Sequence, residues 1–205
     1  MTPKLHRTLL ATAAEVSPAL HDHMRQLGPV TMPNRKPLGI AQFLARVIIG
    51  QQLSTKAATT IWNRIKTAAN DAEQKIPAFF TEENLATLRA CGASGNKAKA
   101  LLAINAAHTD GRITAARLRR LDPVARDAAL KDLHGVGQWT IDMAAMFYFG
   151  DPDVWPEGDL AVSRTFRGYL NKRQLRRYED TVARFAPNRS YLALYMWRII
   201  DGIPS

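Results

Sequence analysis

Apolar residues recur at intervals of three and four over most of this chain, while β-branched residues are scattered along it. A period near 3.6 puts such positions on one face of an α-helix, whereas a strand would need strict alternation. The expected fold class is therefore all-α. A Pro/Gly-rich stretch from Gly28 to Pro37 (GPVTMPNRKP) precedes the periodic run LGIAQFLARVIIGQQLSTKAATTIWNRIKTAA. That run has a proline just ahead of its first turn, and a break is expected near Gly50. Thr81 followed by Glu82 and Glu83 reads as an N-cap with acidic residues at the positive helix end, and Gly92 and Gly95 bracket the next turn. Thr114 and the pair Asp122-Pro123 are further caps, the second opening a segment that ends at Leu133. QWTIDMAAMFYF is helical up to Gly150, DPDVWPEG is a loop broken by two prolines, and DLAVSRTFRGYL, KRQLRRYEDTVARF and RSYLALYMWRIID read as three closing helices. The expected architecture is two helical lobes, about 38–130 in one and 1–37 with 131–205 in the other.

Length and charge narrow the partner. A chain of 205 residues is ample for a real core, and 46% hydrophobic with 22% charged residues is the balance of a soluble globular protein. Lys and Arg number 28 against 18 Asp and Glu, a formal charge of +10, which favours an anionic polymer, nucleic acid before membrane surface. Residues 160–205 concentrate the excess, with nine basic residues against three acidic ones. One cysteine, Cys91, excludes an internal disulfide, an iron–sulfur cluster and a Cys-based zinc site, and reads as a buried small hydrophobe. His21 and His23 lack a third ligand nearby in sequence, so zinc is not expected. Glu15 and Pro18 interrupt the first apolar run, and no stretch reaches the roughly 18 apolar residues of a membrane span. The expectation is an intracellular protein without export signal or anchor.

The segment DLHGVGQWTIDMA sets Gly135 and Gly137 between a helix end and a helix start. Glycines let another backbone approach closely, and a new helix offers unpaired N–H groups and a positive dipole end, so the turn could cradle a phosphate. Taken alone it reads first as a plain αα-hairpin. Four separated motifs add to it: IIGQQLSTKAA, LHGVGQWT, VWPEGDLAVSR and RSYLALYMW. Together they resemble the helix-hairpin-helix DNA glycosylase superfamily, and specifically its alkylpurine (3-methyladenine) branch. The resemblance runs from about residue 40 to the C-terminus. It is to the compact, helical-only members, since this chain is too short for the N-terminal β domain of AlkA-type members. It implies two helical lobes with a DNA-binding, active-site cleft between them.

The resemblance also implies site residues. Asp159 matches the catalytic aspartate, whose carboxylate would stabilise a cationic, oxocarbenium-like sugar or help water attack; on local grounds it is also an N-cap for LAVSRTF. Asp151, Asp153 and Glu157 are rivals read as solvated loop charges. The lysine that forms a Schiff base in the lyase members would fall at Trp139, twenty residues before Asp159, so a monofunctional enzyme is implied. Trp139, Met143, Trp197 and Gln51 match the base pocket, where aromatic faces would attract the positive charge of an N-alkylated purine. Met143 stands where some relatives have tyrosine. Phe147, Tyr148, Tyr195 and Trp155 are secondary candidates, and Trp62 is read as core. Without the resemblance each tryptophan reads as core packing and the glutamines as solvated.

Gln52 matches the wedge that fills the gap left by a flipped base, and Leu53 shares that task. In the hairpin, Gly135, Gly137, Thr140 and His134 would contact DNA phosphate. The backbone carbonyls of Lys131, Leu133 and Gly135 would hold a monovalent cation, Na+ or K+, when DNA is bound; no other cofactor is implied. The expected partner is double-stranded DNA with alkylated bases, bound by a monomer in the nucleoid or nucleus. The activity implied is monofunctional excision of alkylated purines such as 3-methyladenine, opening base-excision repair. The competing reading is a helix-hairpin-helix module that binds DNA or senses damage without catalysis, against which Asp159 counts.

Overall fold

The computed structural model describes residues 1–33 and 38–200; Pro37 and Asp201, read above into a helix start and a closing helix, lie outside them. Among the described residues the regular elements are helical, and none of them forms a strand. No helix there is long and apolar enough to cross a membrane.

Helix α1 (Pro3–Val16) starts on a cap in which Thr2 Oγ1 accepts the Leu5 N–H at 3.2 Å. It stops where Ser17, extended at φ −161° and ψ 123°, precedes Pro18, a residue whose ring disfavours helical geometry before it. Helix α2 (Pro18–Leu27) follows at once and ends on Gly28 in the left-handed region. Leu9, Ala13 and Val16 of α1 and Leu20 and Met24 of α2 are the buried stripes, and the two helices pack together.

The next seven helices are α3 (Ile40–Gly50), α4 (Thr55–Asp71), α5 (Leu85–Ala90), α6 (Gly95–Thr109), α7 (Ala115–Arg120), α8 (Pro123–Lys131) and α9 (Gln138–Met143). α3 packs on α4, α6 and α9, and seven of its eleven residues are buried, which is why its sequence is apolar almost all round. The break expected near Gly50 is present, and Ser54 Oγ accepts the Ala57 N–H to restart the chain as α4. Trp62 and Cys91 sit in one core with Ile49, Phe79, Phe80 and Leu101. Thr114 and Asp122 cap α7 and α8 as their sequence predicts, and α8 stops at Lys131 with a turn carrying on to Leu133. Thr81 is a correction. The helix begins only at Leu85, because Asn84 Nδ2 turns back to the Phe79 carbonyl and Gln74 Oε1, each at 3.0 Å, closing a turn over 81–84.

From α9 the chain runs into a π-helical turn, Ala144–Phe149, and then α10 (Leu160–Arg167), α11 (Lys172–Arg176), α12 (Tyr178–Ala183) and α13 (Arg189–Ile200). The single helix expected over KRQLRRYEDTVARF is two. Arg177 leaves helical geometry at φ −121° and ψ 46°, and Gln174 Nε2 reaches out of α11 to the Val16 carbonyl at 2.7 Å.

The chain divides into two compact units, Arg35–Ala144 and a discontinuous one of Met1–Asn34 with Ala145–Ser205. The second crossing falls at Ala145, not at 131. The physical reason is packing: α9 lies against α3, and Gly135 against Ala100 of α6, so the hairpin and the helix after it belong to the continuous unit. In the discontinuous unit Phe166 meets Trp155, Tyr178 and Phe185 edge-on, with ring centroids 5.5–6.0 Å apart.

Candidate active site and hairpin

Between α8 and α9 the turn 132–137 brings two glycines to the surface for different reasons. Gly135 has φ +80°, and a Cβ there would lie 2.6 Å from Ala100 Cβ, so both conformation and space demand glycine. Gly137, with φ −97° and ψ 178°, is in ordinary extended backbone, and a Cβ on it meets nothing within 4 Å. The fold therefore does not require a glycine at 137. It is the N-cap residue of α9, where no side chain closes the first turn, so a ligand atom can approach those N–H groups closely. His134, Gly135 and Gly137 are exposed, whereas Thr140 is fully buried. Of the three carbonyls matched to a cation, that of Leu133 accepts the Val136 N–H at 3.1 Å and that of Gly135 accepts from Gln51 Nε2 at 3.3 Å. Each keeps a second lone pair, so the donor set still fits a weakly held monovalent ion.

Gln51 follows the last residue of α3. Its amide nitrogen donates to the Gly135 carbonyl and, at 3.0 Å, to Thr140 Oγ1, so both amide hydrogens are committed to the hairpin. Gln52 is exposed with φ 56°, a left-handed conformation that costs a non-glycine residue roughly 1–2 kcal/mol. Leu53 beside it is 40% exposed. Sequence reasoning missed Lys97, whose ammonium donates to the Ile49 carbonyl at 2.9 Å and the Gln51 carbonyl at 2.8 Å. A signal existed: Lys97 stands at helical spacing with buried Leu101 and Ile104, on the inward face of α6. Burial holds its pKa below the ordinary lysine value. Asp142 was also missed. It is buried on α9, accepts from Gln138 Nε2 at 2.9 Å, and burial pushes its carboxyl above the usual range.

The carboxylate matched to catalysis lies in the discontinuous unit. α13 buckles the loop ahead of it: Arg189 Nε and a terminal guanidinium nitrogen reach the two Asp153 oxygens at 2.8 Å each. Ser190 Oγ donates to the Asp151 carbonyl and accepts the Val154 N–H. Asp153 is therefore corrected from a solvated loop charge to an anchor, and the Arg189 hydrogen bonds hold its carboxyl below the usual range. Past Pro156 the backbone turns into α10, and Asp159 caps it, Oδ1 accepting the Val162 N–H at 3.0 Å. The second oxygen, Oδ2, accepts from Trp197 Nε1 at 3.3 Å. The half-buried carboxylate is thus held at both oxygens, and the N-cap expected at this position is present.

Trp197 is half-buried and tilted against Phe147, with centroids 5.7 Å apart. Asp159, Trp197 and Phe147 thus gather in one unit. Trp139, half-buried, Met143, 5% exposed, and Gln51 gather in the other. Tyr148 and Tyr195 are corrections among the secondary candidates. They are 1% and 0% exposed, and the Tyr195 hydroxyl donates to the Gly28 carbonyl at 2.9 Å and lies 2.7 Å from His6 Nδ1. Trp155 packs edge-on against Phe166.

Comparison with known proteins places these features in context. Residues 45–186 match the family model described as HhH-GPD superfamily base excision DNA repair protein. DNA-3-methyladenine glycosylase 1 of Schizosaccharomyces pombe is 31% identical over 163 residues, 76% of this chain and 70% of that protein. Among solved structures, the S. pombe 3-methyladenine DNA glycosylase in complex with abasic DNA is similar with a TM-score of 0.80 and 26% identity, over 95% of this chain and 97% of that one. A DNA-3-methyladenine glycosidase from Bacillus halodurans matches with a TM-score of 0.70 and 26% identity, over 96% and 88%.

Proposed function

Because this chain belongs to the HhH-GPD superfamily of base excision DNA repair proteins, we propose that it is a monofunctional DNA N-glycosylase acting on alkylated purines of the 3-methyladenine and 7-methylguanine type. The observation that carries the reading is the Asp159 carboxylate, fixed by the Val162 N–H on one oxygen and the Trp197 indole on the other. A purine alkylated at N3 or N7 is a cation, so when its bond to C1′ breaks the electron pair goes to the base and neutralises it. Positive charge then builds on the sugar, and a fixed carboxylate meets it without reorganising. Water adds at C1′ and loses a proton, leaving a free base and an abasic site. Asp159 either stabilises the cation or orients that water. Trp139 stands where the lyase members carry the attacking amine, so strand cleavage through a Schiff base at that position does not follow.

The remaining residues serve binding. The exposed hairpin at His134, Gly135 and Gly137 takes a DNA phosphate, the buried Thr140 supports it by accepting from Gln51, and the carbonyls of Lys131, Leu133 and Gly135 take Na+ or K+ when DNA is present. Gln52 and Leu53 fill the gap left by the flipped nucleotide. Of the residues matched to the base pocket, Trp139, Met143 and Gln51 belong to one unit and Trp197 to the other; the face of each tryptophan attracts a cationic base, and no further cofactor takes part. The substrate is double-stranded DNA and the enzyme works as a monomer, in the nucleoid or nucleus.

Excision assays test the reading. Purified protein releases 3-methyladenine from methylated DNA and leaves an unnicked abasic site. Asp159→Asn lowers the single-turnover rate by about 10²–10³-fold while DNA affinity holds, because asparagine caps a helix as well as aspartate, and what is lost is the charge together with the acceptor for the Trp197 indole. Binding without release would favour the non-catalytic module. Borohydride trapping of a covalent DNA complex would overturn the monofunctional assignment.

A further inference from the structure

The loop that follows α3 is held at one residue from two directions. The C-terminal carbonyls of a helix have no partners within it and carry the negative end of its dipole. Lys97 Nζ takes two carbonyls here, those of Ile49 and Gln51, at 2.9 and 2.8 Å, so its ammonium spans the helix end and the first residue beyond it. The Gln51 side chain is tied in turn to the hairpin through the Gly135 carbonyl and Thr140 Oγ1. A small cavity of about 250 Å³ lies at this junction, with Lys97, Gln51, Gln52 and Gly135 in its lining. Beyond the double anchor, Gln52 adopts its left-handed backbone, and Gln52 and Leu53 stand exposed.

We infer that Lys97 is a positioning residue for the base-displacing wedge, setting the backbone path of Gln51 so that Gln52 and Leu53 enter a duplex already in shape. The inference rests on the reading of Gln52 and Leu53 as the wedge. A loop that must hold its form against the base stack pays less on binding if its ordering is built into the fold. Lys97 supplies that order through charge-assisted bonds to the Ile49 and Gln51 carbonyls. The partial burial that lowers its pKa also shields those bonds from water. Lys97 does not touch the substrate in this account. Its removal therefore acts on duplex opening and leaves bond cleavage alone.

The test compares excision of one lesion in a fully paired duplex and opposite an abasic position, where no partner base resists displacement and unstacking is cheap. Lys97→Met is expected to lower the paired-duplex single-turnover rate about tenfold or more, and the rate opposite the abasic position by less than about threefold. Lys97→Arg, which can still bridge two carbonyls, restores most of the paired-duplex rate. An equal fall in both contexts, or an unchanged ratio, overturns the assignment. If Lys97→Met does not fold, Lys97→Gln and Lys97→Arg carry the same comparison, since glutamine retains one donor pair without the charge. The double variant Gln52→Ala/Leu53→Ala separates the two readings. If it leaves the ratio between contexts unchanged, the wedge reading fails. If it shifts the ratio and Lys97→Met does not, only the role of Lys97 fails.

Discussion

Gly135 and Gly137 stand two residues apart in one turn yet answer to different constraints. At Gly135 a methyl group meets Ala100 Cβ at 2.6 Å in a backbone conformation that L-residues resist. Gly135→Ala is therefore expected to destabilise the protein by about 2–4 kcal/mol, from overpacking and backbone strain together. Adding Ala100→Gly removes the collision but leaves the strain, so thermal denaturation of the double variant should recover part of the loss. Recovery of none of it would show that the contact is unimportant. Gly137→Ala should cost less than about 1 kcal/mol, since its backbone is extended and the space is open, and should instead weaken DNA affinity. Both glycines, and Asp159, were legible as residues of interest. Which glycine the fold needs was not, because the Ala100 contact is made by a residue far away in sequence. The second bond of Asp159, to Trp197, was hidden for the same reason.

Helix boundaries here follow local chemistry where a cap is available and depart from it where a side chain finds a distant partner. Thr114 and Asp122 cap their helices through bonds to N–H groups three residues on, and such bonds are legible because they need no tertiary contact. Thr81 does not, since Asn84 spends its amide on Phe79 and Gln74. The loop before α10 is a further case. Asp153 pairs with Arg189 at the start of α13, and its native carboxyl is held below the unfolded value of about 3.9. The native state then binds this proton less readily than the unfolded chain. The pair's contribution is complete above about pH 5 and is lost as pH falls through the lowered native value. Asp153→Asn should thus lower stability near neutral pH by about 1 kcal/mol, a figure discounted because both side chains are a third exposed. The gap between variant and wild type should close as pH falls through the lowered native value. Acid titration of the melting temperature checks this. A constant gap down to pH 2 would assign the loss to packing instead.

For the molecule as a whole, the formal charge of +10 is the property that composition alone supplies. It predicts that DNA affinity falls linearly with salt on logarithmic axes, by at least about tenfold between 50 and 200 mM. A fluorescence-anisotropy titration that showed a flat response would mean that phosphate contacts are not the main source of affinity. The sequence by itself determined that this chain is helical and where most of its helices start, and both arise from propensities, caps and periodicities spanning a few residues; the glycine turn and Asp159 stood out through their resemblance to a family's motifs. Only the tertiary structure decided that the hairpin packs within the unit ending at Ala144, that Gln51 and Lys97 clamp the loop beyond α3, and that Tyr148 and Tyr195 are core. Those outcomes turn on which distant group fills a given space or satisfies a given carbonyl. No short stretch of sequence encodes that, because the competing partners are distinguished only when the helices have packed.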